Sequence, residues 1–141
     1  MIASTLTANV DVRLFWQHML ARHPKERGDG RATAEATRWH VLDEFDLIVS
    51  LTLGTHMVRV FIRGEADGNE EVIQKKLEPY ETELTTTLGV PMKSDEYGRF
   101  FINRLDVDLS DETKWDEATD WLFERAEAYE SALNEFLPRR R

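Results

Sequence analysis

Apolar positions along this chain follow two rhythms, one helical and one of period two. From Val12 the spacing is helical: Val12, Phe15, Trp16, Met19 and Leu20 fall at i, i+3, i+4, i+7 and i+8, the stripe of a helix packed on a core. Asn9 or Asp11 suits its N-cap, and Pro24 disfavours helix at the residue before it, so this helix is expected to end near Arg22. Residues 39 to 63 change to a period of two. Phe45, Leu47, Val49, Leu51 and Leu53 alternate with Asp46, Ile48, Ser50 and Thr52, which predicts a β-hairpin. A turn centred on Gly54-Thr55 would set Leu51 opposite Val58, Val49 opposite Val60 and Leu47 opposite Ile62. On the other face Thr52 would meet Met57, Ser50 Arg59, Ile48 Phe61, and Asp46 Arg63.

Helical phase returns between about 69 and 88, where Ile73, Leu77, Tyr80, Leu84 and Leu88 keep one face across Pro79. A kinked, continuous helix is expected there, stopped by Gly89 and Pro91. A second hairpin is expected over about 90–107, turning near Asp95 to Gly98, with Arg99 to Val107 as its better strand. Trp115, Ala118, Leu122, Ala126, Tyr129, Leu133 and Phe136 then mark a last helix, capped after Ser110 and followed by Pro138. The order is α-ββ-α-ββ-α. It predicts an α+β fold, a four-stranded antiparallel sheet of two hairpins with three helices mainly on one face.

Length suits a single domain over residues 1–141, with an ordered core over about 10–137 between a loose N-terminus and a basic tail, Arg139 to Arg141. Pro24 to Thr37 is the longest apparent loop, and a loop of that length is mobile or functional. There is no cysteine, so disulfides, zinc-thiolate sites and thiol nucleophiles are excluded. No apolar run is long enough to span a membrane, and Met1 to Val10 lacks the pattern of a secretory signal, so a cytoplasmic protein is expected. The net charge of −9 disfavours general attraction to nucleic acid. Arg22, Lys25, Arg27, Arg31 and Arg38 form a local cluster that could make a basic contact, and Arg139 to Arg141 a second basic stretch.

Phe15-Trp16, Trp39, Val58-Arg59-Val60, Leu77 to Glu81, Leu88-Gly89, Arg99 to Ile102, Trp115 and Trp121-Leu122 together resemble a bacterial family of domains of unknown function. Its members are often joined C-terminally to restriction-endonuclease-like nuclease domains. The resemblance runs over about residues 12 to 137, and it departs at Val90-Pro91-Met92, where relatives tend to carry a tryptophan. It implies a setting near nucleases and defence systems, and no catalytic residue.

The sequence assigns no catalytic residue, metal or cofactor. A metal-dependent nuclease needs Asp/Glu-x-Lys on a strand, and no predicted strand has it. His18, His23, His40 and His56 form no i, i+4 pair for zinc, and surface or structural roles are expected for them. Asp106, Asp108, Asp111 and Glu112 crowd the entry to the last helix without calcium-loop spacing, so capping explains them. Asp116 and Asp120, one turn apart, could share a cation but read as a solvated face. Gly28-Asp29-Gly30 lacks the strand and helix of a phosphate loop.

The second face of the first hairpin holds more interest. Ile48, Met57 and Phe61 surround Arg59 there, and with helices on one side only they would be exposed, as at an interface. A non-catalytic protein-interaction or accessory module, with a protein partner or a homodimer, is therefore the leading expectation. One alternative is a small acidic dimeric chaperone of the secretion type. Another is an enzyme or small-ligand binder using an Arg59-centred cleft that includes Arg63 and nearby carboxylates.

Overall fold

A computed structural model describes residues 10–26, 36–64, 70–92 and 98–139. Its elements run α1 (Val12–Arg22), β1 (Thr37–Leu42), β2 (Leu47–Leu53), β3 (Met57–Gly64), α2 (Glu70–Leu77), α3 (Glu81–Leu88), β4 (Phe100–Asp106) and α4 (Trp115–Phe136). The four strands form one antiparallel sheet in the order β1-β2-β3-β4. The fold is α+β, as the pattern predicts, with α2 and α3 as the two halves of the middle helix.

Asp11 caps α1 by accepting the Leu14 amide at 3.1 Å. Val12, Phe15, Trp16 and Met19 are buried, so the predicted stripe is the packed one. The middle helix keeps its phase, with Ile73, Leu77, Leu84 and Leu88 buried. At Pro79 it passes through a single 3-10 turn, Glu78–Tyr80, because proline offers no amide to the i−4 carbonyl. Gly89 ends it in the left-handed region at φ 76°, its amide donating to Thr85 at 2.9 Å. Asp111, rather than Ser110, caps the approach to α4, accepting the Thr113 amide at 3.0 Å ahead of a 3-10 turn over Glu112–Lys114.

Among the described residues three strands precede the middle helix and one follows it, where the pattern predicts two and two. Thr37–Leu42 is a strand in its own right, joined to β2 through residues 43–46, so Phe45 and Asp46 belong to a turn. Asp46 sits there at φ 55°, a conformation that aspartate tolerates. Among the described residues β4 pairs with β3 only, and most of the turn expected near Asp95 to Gly98 falls within residues 93–97, outside the described residues.

The β2–β3 register is displaced by two residues from the expected one. Leu53 faces Val58, Leu51 Val60 and Val49 Ile62, while Arg63 faces Ile48 rather than Asp46. Gly54 and Met57 close the ladder at 2.8 Å, so Thr55-His56 is the turn. A shift of two leaves every side chain on its expected face, because strand side chains alternate with period two.

One face of the sheet carries Leu47, Val49, Leu51, Leu53, Val58, Val60 and Ile62 into the main core. There α4 packs on β2 and β3, and α1 and α3 each pack on α4. β4 carries a bulge, since Phe101 and Ile102 together oppose Phe61. Phe101 lies at φ 53°, and the irregularity turns both Phe100 and Phe101 into the core. Among the described residues no helix is long and apolar enough to cross a membrane.

Candidate functional site

The face of the sheet away from α4 is built in rows. Thr37, Thr52, Arg59 and Arg104 lie side by side across the four strands. Trp39, Ser50 and Phe61 form the next row, and Val41, Ile48 and Arg63 the one beyond. Ile48 and Phe61 are buried, yet neither belongs to the main core cluster. This corrects the expectation of an exposed apolar patch at Ile48, Met57, Arg59 and Phe61. Side chains of the same face lie over part of it. The Arg63 guanidinium lies 4.9 Å over the Trp39 ring, and that of Arg99 lies 5.3 Å over Phe61. Met57 and Arg59 are half-buried.

Between these groups is an open cavity of about 400 Å³, lined by Thr37, Ser50, Thr52, Arg59, Arg63 and Arg99 with Phe61 among them. Its described lining holds three guanidiniums and no carboxylate, in a chain whose net charge is −9. Arg59, Arg63 and Arg99 each make further contacts that hold them. Arg104, directly opposite Arg59, turns instead to Asp106 at 2.6 Å, which relieves the like-charge pairing. Two hydroxyls on the cavity wall stand out. Ser50 and Thr52 are only 1% and 8% exposed, and neither Oγ nor Oγ1 has a hydrogen-bond partner within the protein. The indole Nε1 of Trp39, on the same face, is a third buried donor of this kind. Leaving such a group unsatisfied costs about 1–3 kcal/mol, which sets these three positions apart on this face.

The described residues of the basic loop, Arg22, Lys25 and Arg38, do not come together as a surface cluster. Arg38 points to the helix side and is 1% exposed, buried against Glu26. Arg22 forks onto Asp120 at 2.7 and 3.0 Å and reaches Asp116 at 3.4 Å. Lys25 is exposed, and Arg27 and Arg31 lie outside the described residues. The cation shared by Asp116 and Asp120 is thus Arg22, flanked by His18 at 2.7 Å from Asp116 and His23 at 2.6 Å from Asp120. Arg22 above all, with His23 adding to it against slight burial, holds the Asp120 carboxyl at about 2.

A second polar group was not legible in the sequence. Glu26, Arg38, His40 and Glu130 meet under the edge of the sheet, all buried. Glu26 takes a hydrogen bond from Arg38 Nε and lies against His40 Nε2, while His40 Nδ1 is 2.5 Å from Glu130 Oε2. Burial pulls the imidazole down, but Glu130 and Glu26 outweigh it and hold His40 up at about 9. Burial pushes Glu26 up, and His40 with Arg38 overcome it to hold that carboxyl at about 2. The imidazolium separates the two carboxylates, so they cannot close on one ion. Among the described residues no group of three or more histidine, aspartate or glutamate side chains is placed to hold a metal.

No family pattern matches this chain, and no curated protein or solved structure matches it. The resemblance to nuclease-linked domains therefore rests on the residues quoted for it above.

Proposed function

We propose that this chain is a non-catalytic binding module that takes an anionic group into the Arg59-centred cleft on the face of its sheet away from α4. One observation supports the reading: three guanidiniums line one cavity with two buried hydroxyls that have no partner in the protein, on a wall whose described residues include no carboxylate. Guanidiniums and hydroxyls are donors to an anion, and low exposure strengthens each such bond. Acid–base chemistry would call for a carboxylate or imidazole beside the hydroxyls. The shifted carboxylates Glu26, Asp108, Asp111 and Asp120 all lie elsewhere. The interaction-module reading thus keeps its binding character, with charge rather than apolar contact as its basis.

The test is thermal unfolding against a panel of oxyanions and carboxylates at constant ionic strength. At least one anion should raise Tm saturably, as binding to the native state requires. The Arg59→Ala/Arg63→Ala double variant should lose that response. A panel without any saturable shift, or an unchanged response in the double variant, would refute the reading.

A further inference from the structure

Resting on that anion-binding reading, we infer that the group taken by the cleft is a phosphoryl group. The donors come from three chain segments: Ser50 and Thr52 from β2, Arg59 and Arg63 from β3, and Arg99 from the approach to β4. They are also spread along the face. Ser50 and Thr52 are two residues apart on one strand, about 7 Å at strand rise. Thr52 lies opposite Arg59, and Ser50 lies opposite Phe61, over which Arg99 is placed. A planar carboxylate is satisfied by one guanidinium fork. A tetrahedral phosphoryl group directs oxygens several ways at once, and its double charge suits several guanidiniums. Two neutral hydroxyls beside three cations complete a donor set of that kind.

The aromatic residues serve the same arrangement. Arg63 lies over the Trp39 ring and Arg99 over the Phe61 ring, so cation–π attraction holds both guanidiniums near the cavity before any ligand arrives. Preorganised donors lose little freedom on binding.

The hydroxyls supply a sharp test. They have no partner in the protein, so Ser50→Ala/Thr52→Val should leave the unfolding free energy unchanged or slightly raised, while removing donors to the ligand. Calorimetric titrations at constant ionic strength would use inorganic phosphate, pyrophosphate and phenyl phosphate as probes, with succinate and benzoate as carboxylate controls. Phosphate probes should bind one to one and at least about tenfold tighter than the carboxylates. Both the hydroxyl double variant and Arg59→Ala should weaken them by about tenfold or more. Stronger binding of phenyl phosphate than of inorganic phosphate would point to a phosphate ester as the source, and the reverse to the free ion. Carboxylates bound as tightly as phosphates would overturn the phosphoryl inference and leave the anion reading standing. Undiminished phosphate binding in the hydroxyl variant would overturn the assigned site. Absence of binding by every anion would overturn both.

Discussion

The phenolic hydroxyl of Tyr129 on α4 donates to the carbonyl of Phe101 across 2.5 Å, fastening the long helix to the bulge in β4. Phe101 is one of two described non-glycine residues at positive φ, a conformation that a bulky side chain adopts only when its surroundings impose it. Tyr129→Phe removes the donor and leaves the carbonyl buried. We expect a loss of about 1–2 kcal/mol in urea-induced unfolding, with the m-value unchanged. An unaltered midpoint would show that packing alone holds the bulge.

Stability should depend on pH through the buried network. His40 is held at about 9 in the folded chain against an ordinary 6.5, so its contribution is complete below pH 6.5 and is lost as pH rises through about 9. The loss is on the order of 3 kcal/mol. Glu26 acts with the opposite sign. Held at about 2 against an ordinary 4.5, it contributes fully above pH 4.5 and loses that contribution as pH falls through about 2. Denaturant unfolding measured from pH 5 to 10 should show the alkaline decline in the native sequence, and His40→Gln should flatten it.

That same His40→Gln change should also cost about 3–5 kcal/mol at pH 6, because it takes the imidazolium from between two buried carboxylates. By contrast, Asp120→Ala on the exposed α1–α4 clasp should cost less than about 1 kcal/mol and less still in high salt. Chemical unfolding of the two variants side by side, at low and high salt, checks the contrast.

Two glycines should respond differently to alanine. At Gly89 a Cβ would meet nothing within 4 Å, but φ is +76°, so Gly89→Ala should cost about 1 kcal/mol through backbone strain alone. At Gly54 a Cβ would come within 2.7 Å of the terminal methyl of Met57, which can swing aside. Gly54→Ala should therefore change stability by less than about 0.5 kcal/mol. Differential scanning calorimetry of both variants separates strain from crowding.

Alternation made the two faces of β2 and β3 legible, and with them the company of Arg59, Phe61 and Arg63. The even register error did not disturb those faces. It arose because Gly54 resembles a first turn residue, whereas the ladder continues to Gly54 and Met57. β1 escaped notice because its helix-facing positions are Arg38, His40 and Leu42, which look like the solvent side of a strand. Only their partners make them internal, and Glu130 stands 90 residues from His40. The cleft was half visible for a similar reason. Ser50, Thr52, Arg59 and Arg63 share a parity that can be read along the chain, but Arg99 and Trp39 reach the face through tertiary placement. The available signal was the pair of small hydroxyls among bulky apolar neighbours in β2, where an exposed strand face would more often carry long polar side chains.

Among its described residues the buried network holds two carboxylates, one guanidinium and one imidazolium, whose charges cancel as a set and not in parts. Any single replacement leaves an odd charge under the sheet, which selection would remove before a second change could rescue it. Glu26, Arg38, His40 and Glu130 should therefore be inherited as a block. Across relatives of this chain they should vary together, with lineages keeping all four or replacing them jointly by apolar residues, and that joint variation would trace the family more reliably than any one of its aromatic positions.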